Sequence, residues 1–177
     1  SIQNTLNHQF SMRIALIVYD SHNDFQQTNV TGSYMPEGVG GFTELFKNRV
    51  VVPFQGSFSQ LRHVIHHELV HAVLNDMFYG GTIQSVVMSS NAFMIPLWLN
   101  EGLAEYESLG GMNTETDMFM RDLTISEKLP PLTELGGYLA YRGGQTFYWY
   151  IADKYGKAKV TEFINKLYIY KNLEQTF

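Results

Sequence analysis

His67-Glu68-Leu69-Val70-His71 sits inside a run whose apolar positions, Leu61, Val64, Ile65, Leu69, Ala72 and Val73, recur at helical spacing. The pattern predicts one helix from a cap at Ser59 to about Phe78. On a helix, positions i and i+4 lie one above the other, so both imidazoles of this HExxH pattern can reach a single zinc ion. Glu68, one step round, then faces a water on that ion. This is the arrangement for zinc-assisted hydrolysis, and the apolar stripe lies on a different side of the same helix.

A catalytic zinc usually takes three protein ligands and leaves a fourth position to water, so a further donor is required downstream. Residues 98–106 read Trp98-Leu99-Asn100-Glu101-Gly102-Leu103-Ala104-Glu105-Tyr106. WLNEGLAEY resembles the second zinc motif of the gluzincin metallopeptidases, the group that includes thermolysin and the aminopeptidase N-like enzymes. Its WLNEG wording is most similar to the aminopeptidase N-like branch and its smaller peptidase MA-like relatives, and the resemblance covers about residues 63–155. It implies Glu101 as the third ligand beside His67 and His71. It also implies a zincin-like α+β fold, with a small N-terminal sheet lobe carrying the active-site helix at the floor of a cleft and a helical C-terminal lobe. Glu105, one turn after Glu101, projects from the same face. Metal-bound imidazoles commonly donate their other N–H to a carboxylate, and the resemblance implies that Glu105 does this for His67.

Peptide hydrolysis also needs a donor for the oxyanion that forms as water adds to the carbonyl. Tyr141-Arg142-Gly143-Gly144-Gln145-Thr146-Phe147 resembles the Tyr-x-x-Gly-x-x-Phe region of aminopeptidase N-like enzymes, which implies that Tyr141 stabilises the tetrahedral intermediate. The chain holds 11 Tyr, most of them readable as packing residues, and Tyr138 is the nearest competitor. Tyr148, Tyr150 and Tyr155 read as core.

Two departures from the family stand out. The stretch between His71 and Glu101 is longer than usual, which implies an insertion. Residues 80–93, with adjacent glycines and a short Val86-Val87-Met88 run, read as a loop or hairpin beside the cleft or as a surface elaboration. In aminopeptidase N-like enzymes an upstream Gly-x-Met-Glu-Asn segment holds the substrate's free amino terminus. The nearest analogue here is Gly40-Gly41-Phe42-Thr43-Glu44, where Thr43 replaces the amine-binding Glu and the Asn is missing. Aminopeptidase specificity is therefore unsupported, and a plain glycine turn explains the segment as well.

His63 shares the four-residue spacing of His67 and His71, so a three-His site is the alternative ligand set. Its outer pair would lie roughly 12 Å apart along the helix axis, too far to close a tetrahedron. His63 and His66 are read as structural or as supporting groups, His8 and His22 as loop histidines, and Glu107 as a solvated helix glutamate.

At 177 residues, 45% hydrophobic and 16% charged, the chain can bury a core and reads as one domain over residues 1–177 with lobes at about 1–78 and 94–177. A net charge of −5 without a Lys/Arg cluster argues against nucleic acid. No apolar run reaches membrane-span length, and no signal-peptide pattern opens the chain. The absence of cysteine excludes disulfides and thiolate ligands. The first residue is not Met and residues 172–177 read like an opening helix, so the chain reads as a piece excised from a longer one. Strands are expected at 13–19, as a buried strand, and at 48–54, with Pro53 at an edge or strand end. Helices follow at 96–109, 114–128, 143–155 and 157–170, broken by Pro130-Pro131 and Gly136-Gly137. The function expected from these readings is a zinc-dependent peptidase acting on peptide or protein substrates. The alternative is a non-catalytic zincin-like domain that binds peptide or protein partners.

Overall fold

Val50, Val51 and Val52 are completely buried, because the strand that carries them is covered on both faces. The computed structural model describes residues 2–11, 13–27, 39–44, 49–80 and 93–177, and the chain is mixed α+β with a small three-stranded sheet. The strands are β1 (Ala15–Tyr19), β2 (Phe42–Glu44) and β3 (Arg49–Pro53), in the order β1-β3-β2. β1 runs parallel to β3, from Ala15 opposite Arg49 to Tyr19 opposite Pro53. β2 runs antiparallel to β3, with Phe42 opposite Val51, Thr43 opposite Val50 and Glu44 opposite Arg49.

Successive strand side chains point to opposite faces. Val51 packs on one face against Phe25 of the short helix α2 (His22–Gln26), with Ile17, Tyr19, Val39 and Phe42 around them. Val50 and Val52 face the other way, onto Leu61, Val64, Ile65, Leu69 and Ala72 of α3 (Phe58–Tyr79). The stripe expected on this helix is thus the one that lies on the sheet. Pro53 closes β3, where a missing N–H interrupts no further pairing. The strand expected at 13–19 is an edge strand rather than a buried one. Ile17 and Tyr19 pack inward while Leu16 and Val18 are 46% and 45% exposed. β2 is a strand in a segment that a plain glycine turn explained as well.

The cap of α3 is Ser57, not Ser59: its extended backbone places Oγ to accept from the Gln60 N–H at 3.4 Å. Ser59 lies in the first turn and its hydroxyl bonds that of Ser57. Gly80, at φ 67°, ends the helix in the left-handed conformation. Residues 81–92, most of the stretch read as an insertion, lie outside the described residues.

The helical part comprises α1 (Ile2–Leu6), α4 (Leu97–Leu109), α5 (Thr114–Ile125), a 3₁₀ turn at Leu132–Glu134, α6 (Tyr138–Tyr155), α7 (Ala158–Tyr170) and α8 (Leu173–Thr176). α6 begins well before Gly143, because Gly137 serves as its N-cap and the glycine pair Gly143-Gly144 lies within the helix. The reason is contact with α4. An added methyl at Gly144 would lie 1.9 Å from the Trp98 carbonyl oxygen, and one at Gly102 would lie 2.3 Å from the Gly144 Cα. The two helices therefore touch backbone to backbone. Beside the crossing, the Trp98 and Phe147 rings meet edge to face at 5.0 Å. Tyr148 is fully buried as expected, but Tyr150 and Tyr155 are 47% and 58% exposed and flank the Lys154 ammonium.

The described residues form two compact units, one within Gln9–Ser90 and one within Ser1–His8 together with Asn91–Phe177. α1 belongs with the helices, where Thr161 Oγ1 donates to the Thr5 carbonyl. Among the described residues no helix is long and apolar enough to cross a membrane.

The crossing predicts that Gly144→Ala loses at least about 3 kcal/mol of stability, since backbone cannot move aside as a side chain can. Gly136→Ala, where an added methyl meets nothing within 4 Å, should melt within a few degrees of the parent. Thermal denaturation followed by circular dichroism measures both, and similar melting of all three proteins would contradict the packing argument.

Candidate metal centre

His67 and His71 lie on successive turns of α3 with their Nε2 atoms 3.1 Å apart and their ring planes at 78°. Two nitrogens sharing one tetrahedral zinc at bonds of about 2.0–2.1 Å lie about 3.3 Å apart. The spacing of the pair therefore fits a common ion. The His63 ring centroid is 6.1 Å from that of His67, so the His67–His71 pair is the tighter one. Burial holds the His66 imidazole below its usual range. His22 opens α2 instead of lying in a loop, and its Nδ1 is 3.3 Å from Gln55 Nε2.

Glu68, between the two histidines in sequence, is buried. Its carboxylate is met from the sheet: Thr43 Oγ1 lies 2.8 Å from Glu68 Oε2 and 2.8 Å from the Glu68 carbonyl oxygen. Thr43 faces α3 because it stands opposite Val50, which packs against that helix. The neighbouring Gly41 lets the strand come close, since a methyl there would sit 3.2 Å from Glu68 Cγ and 2.8 Å from Val64 Cγ1.

The helical unit carries the other residues read from the sequence. Glu101 is half-buried on α4, and Glu105, one turn later, is buried. Glu105 receives Arg142 Nη1 at 2.9 Å, an ion pair whose side chains are only 7% and 12% exposed. Arg142 also approaches Thr116 Oγ1 at 3.3 Å and Glu115 at 3.2 Å. Behind it, Thr116 donates to Gln145, whose amide donates to the Gly111 carbonyl. Tyr138 is bound into the same cluster, donating to Glu115 at 2.8 Å and accepting from Arg142 Nε at 2.9 Å. Tyr141 is half-buried on α6. Glu107 is not a solvated glutamate: it is half-buried, and burial pushes its carboxyl above the usual range against the pull of Lys157.

His67, Glu68 and His71 thus belong to the sheet-bearing unit, and Glu101, Glu105 and Tyr141 to the helical one. Two partners escaped the sequence reading. Arg142 carried no signal, since the helix that holds it was expected to begin only at Gly143. Thr43 carried none beyond standing where the family pattern has a glutamate. No protein-family model, curated protein or solved structure matches the chain.

Removing one partner of a buried ion pair leaves the other charge stranded, at a cost of about 3–5 kcal/mol. Arg142→Met should lose about that much stability, while Glu105→Gln with Arg142→Met should lose clearly less than the sum of the two single changes. Urea denaturation of the four proteins gives the coupling, and strict additivity would mean that the pair contributes no specific interaction.

Proposed function

We propose that this chain is a zinc-dependent peptidase of zincin-like fold, in which His67, His71 and Glu101 hold the ion. The observation that carries the reading is the convergence of the His67 and His71 Nε2 atoms to 3.1 Å, the separation suited to one shared ion. The WLNEGLAEY resemblance supplies the third donor. Zinc bound there supplies Lewis acidity, lowering the pKa of water and polarising the scissile carbonyl. Glu68 takes a proton from the attacking water and returns it to the leaving amine as the C–N bond breaks. Tyr141 donates its hydroxyl hydrogen to the oxyanion of the tetrahedral intermediate. Glu105 accepts from the His67 imidazole and fixes its orientation. The Tyr138 hydroxyl donates to Glu115 and accepts from Arg142, and the choice of Tyr141 as oxyanion donor rests on the Tyr-x-x-Gly-x-x-Phe resemblance.

Metal analysis of the purified chain is the first test. About one zinc per chain is expected, lost in His67→Ala, His71→Ala and Glu101→Ala and retained in His63→Ala. Loss in His63→Ala with retention in Glu101→Ala would transfer the site to the three-His alternative.

Turnover of mixed peptides then separates binding from chemistry. Glu68→Gln should keep its zinc and lose activity by several orders of magnitude, since an amide cannot take a proton from water. Tyr141→Phe should lower kcat by about 100- to 1000-fold with zinc unchanged, whereas Tyr138→Phe should turn over like the parent. A zinc-loaded parent that cleaves no peptide would leave the non-catalytic binding domain as the reading.

A further inference from the structure

We propose that Thr43 is a positioning residue for Glu68, holding the carboxylate in one orientation through both halves of the proton-transfer cycle. This role rests on the peptidase reading and adds to it a residue that the sequence pattern does not supply. The geometry is specific. The Thr43 hydroxyl has two acceptors within reach, Glu68 Oε2 and the Glu68 carbonyl oxygen, each at 2.8 Å. A hydroxyl owns a single hydrogen and can donate to one of them at a time.

That apparent surplus of acceptors matches what a general base needs. While Glu68 is ionised, Thr43 donates to Oε2, and the Glu68 carbonyl keeps its helical N–H partner. Once Glu68 has taken the proton from water, its O–H stays directed at the reacting groups, Oε2 keeps a lone pair that can accept, and Thr43 either holds that bond or turns its hydrogen to the carbonyl oxygen. No heavy atom moves and no buried group loses its bond in either state. The proton passes from the carboxyl oxygen that received it to the leaving amine, and Thr43 is left donating to the carboxylate again, so the cycle is balanced without another reactant. Valine fills the same volume and can do neither.

The surroundings fix the hydroxyl in this place. Thr43 stands on a strand paired to β3 in defined register, opposite Val50, and Gly41 brings that strand within 3.2 Å of Glu68 Cγ as judged by an added methyl. Glu44 is paired with Arg49 across the same two strands, which ties down the end of β2. A β-branched residue is also stiff at χ1, so the hydroxyl is presented with little rotamer freedom.

The test uses the zinc-loaded chain and the peptide mixture that the parent cleaves. Thr43→Val should lower kcat about 10- to 100-fold, the usual size of such a supporting contact, with KM and zinc content within about twofold of the parent. Thr43→Ser should recover turnover to within a few-fold, because it restores the hydroxyl. In the Glu68→Gln background, adding Thr43→Val should lower the residual rate no further, since the two residues act as one unit. Hydrolysis that needs Glu68 but runs at parental kcat in Thr43→Val, multiplicative losses in the double variant, or failure of serine to rescue would each overturn this role alone. A parent without Glu68-dependent hydrolysis overturns the peptidase reading and this role together.

Discussion

One helix has to satisfy two demands at once: α3 must bury a stripe on the sheet and present a separate edge carrying His67, Glu68 and His71. Its 22 residues divide the work along the axis. From Leu61 to Leu69, the residues Leu61, Val64, Ile65 and Leu69 lie over Val50 and Val52. In the last turns Asp76, Met77, Phe78 and Tyr79 are buried in succession, so the helix is enclosed on every side there. Even the acidic residue of that stretch is matched, since Asp76 receives both the N–H and the hydroxyl of Ser11. A helix anchored at its far end and along one face has little freedom to roll. On this anchored helix His67 and His71 stand one turn apart, with their imidazole nitrogens 3.1 Å from each other.

The glycines of the two helical motifs answer to a different constraint. Gly102, next to the proposed ligand Glu101, and Gly144, next in order after Arg142 and Gly143, meet where α4 and α6 cross, and neither has room for a single methyl. Close approach of the backbones fixes which turn of α6 lies against which turn of α4. It thereby sets Arg142 at 2.9 Å from Glu105. The wording of these motifs is in this sense partly a packing code. Glu101 and Tyr141 are the residues proposed for the chemistry, and the glycines set the register in which α6 brings Arg142 to α4.

Long periodic segments were readable from the sequence, and short or irregular ones were not. The helix bearing HExxH and the run from Pro96 announce themselves through apolar spacing. β2 has only Phe42, Thr43 and Glu44, too few for an alternation to emerge beside three glycines, so a turn was the natural reading. Gly143-Gly144 suggested a helix start because glycine weakens helices locally, yet tertiary contact outweighs that weakness here. Tyr150 and Tyr155 looked like core because aromatic residues usually are, but they flank an exposed lysine. The four-residue periodicity of His67, His71 and their neighbours was legible because it is local. The partners of Glu68 and Glu105 were not, because Thr43 and Arg142 reach them from far along the chain.

Those two partners differ in a way that bears on the roles proposed for the carboxylates. Arginine has only donors, so the bond from Arg142 to Glu105 exists only while that carboxylate oxygen accepts. Such a partner suits a group whose task is to receive an imidazole N–H without change. Thr43 is both donor and acceptor, and the second acceptor beside it, the Glu68 carbonyl, gives its hydrogen somewhere to go. Such a partner suits a group that must gain and lose a proton in place. An arginine in the position of Thr43 would oppose each protonation of Glu68, and a threonine in the position of Arg142 would leave the buried Glu105 charge without its counter-charge. The hydrogen-bonding capacity of what holds each carboxylate thus supports the proposed assignment of Glu68 to proton transfer and Glu105 to orientation.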